Sequence, residues 1–79
     1  MNLTIPFTVP ERANVTVEVY NMLGKRITTL VDDKAYSAGH HNIRFDGTGL
    51  ASGVYLYKFK ADGVSGKTFS STKRLTIIK

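Results

Sequence analysis

Apolar residues recur at every second position along most of this chain, and no stretch repeats them with the spacing of a helix. In "VTVEVY", residues 15–20, Val15, Val17 and Val19 fall on one side while Thr16, Glu18 and Tyr20 fall on the other. Successive side chains of a strand point to opposite faces, so this period turns one face toward a core and the other toward water. The same rule gathers Leu3, Ile5, Phe7 and Val9, then His41, Ile43 and Phe45, and then the aromatic row Tyr55, Tyr57 and Phe59, which suits a central strand. "KRITTLV" makes another strand through Ile27 and Leu30, and the tail alternates Leu75 and Ile77 against Thr76. Pro6 has no N–H for a ladder and belongs at an edge or a bulge.

Turn signals separate these runs. Residues 10–14 form the first turn; "NMLG" forms the second, with Gly24 free to take a positive φ. "DDKAYSAG", residues 32–39, reads as a loop, and "DGVSG" as a hairpin turn. "GTGLASG", residues 47–53, reads as a crossing between two sheets, with Leu50 as its plug into the core. Lys73 falls in phase with Leu75, which would aim an ammonium inward; a bulge or twist at Lys73 and Arg74 is the expected escape. The sum is six to seven short antiparallel strands with turns roughly every 8–12 residues, the pattern of a small immunoglobulin-like all-β sandwich in two sheets.

Length limits the rest. A chain of 79 residues makes one domain, expected over residues 1–79, and folding hides only ~60% of the surface its unfolded state exposes. Cysteine is absent, so neither disulfides nor thiolate metal sites can reinforce the core. The net charge of +5 is spread from Arg12 to Lys79 without a dense run, which describes a solvated surface better than a nucleic-acid footprint. No run reaches the ~18 apolar residues of a membrane span, and "MNLTIPFTVPER" lacks the layout of an export leader. Strand-like sequence directly after Met1 is what a domain excised from a larger secreted protein would show.

Several letter patterns imitate chemistry. "ADGVSGKT" fits the loose form of a phosphate-cradling loop, which works by aiming backbone N–H groups and a helix N-terminus at an anion. The segment after "GKT" alternates and is β-branched, so a turn between strands is expected, with no nucleotide and no cofactor. His40 and His41 are neighbours on a strand and must face opposite ways, so they cannot chelate one metal. Asp46 precedes Gly47 and is expected to accept N–H bonds within its turn. The other acids are scattered or, like Asp32 and Asp33, side by side in a loop; Ser52, Ser70 and Ser71 lack a base. No enzyme is expected. Tyr20 and Tyr36 are candidates for stacking on a sugar ring, against the plainer role of covering cross-strand neighbours.

Three phrases together, residues 15–31 "VTVEVYNMLGKRITTLV", residues 38–61 "AGHHNIRFDGTGLASGVYLYKFKA" and the closing "TKRLTIIK", resemble the type A C-terminal sorting domain of the type IX (Por) secretion system of Bacteroidetes and related bacteria. The flagellar hook-capping protein carries a related immunoglobulin-like module with a similar "LASGVY" crossing; an apolar last strand closing on a basic residue points to the sorting family. Phe45 stands where that family often has Trp, and its usual opening Pro-Asn-Pro is not in this sequence.

The resemblance implies a non-catalytic signal that directs an attached N-terminal cargo through the outer-membrane translocon, with a sortase-like peptidase as a second partner. It implies passage through the periplasm and then an extracellular or cell-surface location. Carried over by position, Lys73, Leu75, Ile77, Ile78 and Lys79 would be read by the translocon, and Gly24, Gly39, Gly53 and Tyr55 would be turn and core scaffold. An extended terminal segment at a sheet edge suits capture by strand addition. The competing expectation is a carbohydrate-binding or structural accessory module of a secreted enzyme.

Overall fold

The three alternating valines of residues 15–20 are among the most deeply sealed side chains of the protein, Val15 and Val19 at 0% exposure and Val17 at 1%. The structure, a computed structural model, describes residues 2–79. Among them lie six strands, β1 (Asn2–Val9), β2 (Ala13–Asn21), β3 (Arg26–Tyr36), β4 (Gly39–Asp46), β5 (Gly53–Gly63) and β6 (Thr68–Ile77), and no helix. They form a four-stranded sheet in the order β3-β2-β5-β6 and a two-stranded ribbon of β1 and β4, every pairing antiparallel. The expected all-β, two-sheet sandwich is what the chain forms.

Alternation decides what lies between the layers. The ribbon contributes Ile5, Val9, Ile43 and Phe45, and the larger sheet the β2 valines, Val31, Tyr55, Phe59, Ala61 and Ile77. No polar or charged residue is buried among the described residues, so the core rests on apolar burial alone. Leu50 packs against it from the crossing, as expected.

The ribbon lies obliquely over the larger sheet. At one end Leu3 and Ile77 close around Gly47, where a Cβ would stand 3.8 and 3.4 Å from their Cδ1 atoms. At the other end Phe7 meets Tyr36 of β3 at 5.2 Å and Phe59 at 5.4 Å between ring centroids. The cover thus runs from β6 to β3 and leaves Ser71 and Lys73, on the core side of β6, exposed.

Two expectations need correction. Residues 32–39 do not form a loop, because β3 continues to Tyr36 and pairs with β2 as far as Ala13. It fits its eleven residues against eight of β2, Ala13 to Tyr20, through three register shifts. Asp32 and Asp33 share Thr16, whose hydroxyl oxygen accepts the Asp33 N–H at 3.1 Å, and Asp33 takes φ +52°. Leu30 and Ile27 are the other two extra residues, and so their spacing breaks the period of two. The second correction concerns Lys73. No bulge interrupts β6, whose register with β5 is continuous from Thr68 to Ile77. Lys73 lies on the core side, opposite Tyr57, and is exposed because the ribbon does not reach it.

Candidate functional site

The last strand is built by its hairpin and by the crossing. The β5–β6 turn closes with Gly63 N–H to Lys67 O at 2.8 Å and Gly66 N–H to Gly63 O at 3.0 Å, with Gly66 at φ +91°. The β2–β3 turn repeats this design in Asn21 N–H to Lys25 O at 2.9 Å and Gly24 N–H to Asn21 O at 3.0 Å, with Gly24 at φ +88°. A tight turn followed by one left-handed residue is a common hairpin closure, and glycine takes that conformation without steric cost. The nucleotide-like letters therefore spell a turn into β6. Four of its N–H groups are already used: Gly63 and Gly66 bond within the turn, Val64 donates to Arg12 O at 2.9 Å, and Ser65 donates to the Glu11 carboxylate at 2.8 Å.

Glu11 reaches this turn from the β1–β2 corner and also accepts the Ser65 hydroxyl at 2.7 Å. The Ser65 hydroxyl and N–H, aided by Lys67, hold its carboxyl below the ordinary value. Asp46 acts alike: the Thr48 hydroxyl and N–H bond to it and lower its pKa, as its place before Gly47 led one to expect.

At the other end of β6, "LASGVY" has a geometric meaning. The Tyr55 hydroxyl donates to Ala51 O at 2.7 Å and locks the crossing over the core. Gly53 opens β5 directly opposite Ile77, and Tyr55 lies opposite Leu75. The Lys79 N–H donates to the Ser52 hydroxyl oxygen at 3.1 Å, and its ammonium donates to Thr48 O at 2.6 Å. Ser52 and Thr48 thus hold the residue that closes the sequence, a role that no local pattern announces.

The five candidate residues divide among three environments. Lys73, Leu75 and Ile77 share the core side of β6. Ile77 is sealed at 1% exposure, Leu75 is half-buried and Lys73 is exposed. Ile78, 76% exposed, and Lys79 lie beyond the strand. Of the scaffold glycines, Gly24 sits in the β2–β3 turn and Gly39 opens β4 opposite Val9.

Beside β6, the uncovered corner is a cavity of about 380 Å³ with Phe7, Tyr57 and Phe59 as apolar walls and Ser71 and Lys73 on its flank. Among the described residues β6 has only β5 as a neighbour, so its other edge is open to pairing. The remaining candidates are accounted for by packing. His40 pairs with the Thr8 hydroxyl at 2.9 Å, whereas the His41 ring stacks on Phe7 and its Nε2–H donates to Ser37 O at 2.7 Å. Tyr20 donates to Glu18 at 3.1 Å beneath the Lys58 ammonium; burial of the phenol and then the Glu18 carboxylate raise its pKa. Tyr36 is engaged edge-on with Phe7. Neither tyrosine is a bare stacking platform.

A family model described as secretion system C-terminal sorting domain matches residues 1–77. No curated protein and no solved structure matches the chain.

Proposed function

The chain belongs to the secretion system C-terminal sorting domain family, the C-terminal secretion signal of the type IX pathway, and on that membership we propose that β6 is the part the export machinery reads. The family role sends an attached N-terminal cargo to the cell surface or the extracellular space. In our reading the sandwich folds in the periplasm, the translocon engages β6 and the residues after it, and a sortase-like peptidase then acts on the cargo junction. The domain contributes recognition and no catalysis.

The observation that carries this reading is the state of the sheet edges. β1 contains Pro6, which has no N–H to offer, β3 is broken by three register shifts, and β4, the other edge of the ribbon, is continuous but runs for eight residues only. β6 offers an unbroken run of ten residues with only one side paired. Strand addition needs such a run, because main-chain bonds supply affinity and alternate side chains supply selectivity. Lys73, Arg74, Thr76, Ile78 and Lys79 are the exposed groups a reader would meet there.

The test is a fluorescent protein fused ahead of residues 1–79, behind an ordinary export signal, in a host with this pathway. Fluorescence at the surface or in the medium is expected. A folded fusion held in the periplasm would overturn the reading. Deleting residues 75–79 would also remove the sealed Ile77, so the informative variants are Arg74→Glu and Ile78→Asp, whose exposed side chains leave the core intact.

A further inference from the structure

The last hairpin arm is basic throughout. Residues 67–79 contain Lys67, Lys73, Arg74 and Lys79 and no Asp or Glu. Among the described residues the cavity beside β6 has no carboxylate in its lining, and Lys73 stands at its flank on the core side of the strand. The corresponding gap between β3 and β4 is different, because Asp32 lines it beside Lys34 and Arg44. Of the sheet edges formed by the described residues, β6 alone joins an uninterrupted ten-residue register to an uncovered apolar floor and an uncompensated cation.

We propose that β6 takes an acidic, extended peptide segment of a partner protein, which pairs with the free edge and sets alternate side chains over the open corner, one carboxylate against Lys73. A strand added there lies next to β6 in the same sheet, so every second residue faces the layer that the ribbon leaves bare. Apolar residues at those positions cover Tyr57 and Phe59, and an acidic one meets Lys73. A second copy of this chain is a poor occupant, because pairing β6 with itself brings Lys73 and Arg74 close to their own counterparts, and like charges across strands destabilise a sheet. Opposite charge at the edge speeds encounter and fixes register, while the backbone ladder holds the complex.

The inference rests on β6 being the docking strand, and it is tested without export. A fluorescein-labelled eight-residue peptide with Thr at the odd positions and Val, Glu, Val and Glu at the even ones, so that apolar and acidic side chains share one face, is titrated with the 79-residue chain by anisotropy, beside its counterpart with Lys for Glu and heparin. The acidic peptide is expected to bind, the basic one not, and hydrogen exchange of the β6 amides to slow in the complex. Lys73→Glu is expected to weaken binding about fivefold or more, by turning an attraction into a repulsion. Lys60→Glu, on the outward side of β5, leaves it nearly unchanged. Equal binding by Lys73→Glu with unchanged melting temperature overturns the proposal. So does a complex without protection of β6, or heparin producing the same protection, which marks a general polyanion surface. Normal export of a Lys73→Glu fusion that no longer binds the peptide overturns this inference and leaves the sorting role standing. Peptide binding by a domain whose fusion stays in the periplasm supports the inference and removes the sorting role.

Discussion

The β2–β3 and β5–β6 turns share one backbone design and differ in who supplies the last hydrogen-bond acceptor. At residues 21–25 the turn completes itself: the Asn21 side-chain oxygen accepts the N–H groups of Leu23 and Lys25, both at 3.0 Å. At residues 63–67 the first position is Gly63, and the acceptor is Glu11, far away in sequence. A Cβ on Gly63 would stand 2.7 Å from the Glu11 carboxyl carbon, so the missing side chain makes room for the distant one. One turn is local and neutral; the other joins remote parts of the chain through a charge.

The largest effect expected from breaking this pair comes at the shared position. Gly24→Ala and Gly66→Ala each place a side chain at φ near +90° and should each cost about 1–2 kcal/mol in urea unfolding. Unequal losses would show that the turns are not the same device. Asn21→Ala should rank next, at about 1 kcal/mol, because two N–H groups lose a protein acceptor. Glu11→Ala should lower the melting temperature by less, since the carboxylate is open to water. In that background Gly63→Asn should restore stability, because it gives the second turn the acceptor of the first and no longer meets Glu11.

The smallest effect is on acid response. The Glu11 pKa is lowered in the fold, so its contribution is complete above the unfolded value near 4.5 and is lost as pH falls through the lower folded value. The stability gap between the native chain and Glu11→Gln should therefore close on acidification. The gap to Asn21→Ala should stay open across the same range, because an amide does not titrate there. Parallel curves would refute the difference between the two turns.

Much of the fold was open to a reader of the sequence, and the exceptions share a cause. Alternation placed the β2 valines, the β5 aromatics and Ile77 correctly, because period two needs nothing beyond neighbouring residues. It failed at residues 32–36, where acidic, turn-forming letters are held as strand by pairing with the start of β2. Tertiary pairing overrode local preference there. Lys73 failed in the opposite sense: its phase was read correctly, yet the remedy lay in the ribbon stopping short and not in a bulge. Which strand sits at an edge, and which corner stays uncovered, depends on how the layers cross, and no single segment encodes that. Gly24 was legible as a turn glycine, whereas Gly39 and Gly53 open strands, and the grip of Ser52 and Thr48 on Lys79 had no local signal.

Ile77 ties two properties together that are usually separable. The residue that fills the space beside Gly47 and Leu3 belongs to the final strand of the sandwich, the same strip we assign to the exporter. A passenger emerging from synthesis cannot present a finished label until that strand has been made and seated. On that assignment legibility and completion coincide, because unseating β6 removes the proposed label and a sealed core residue together.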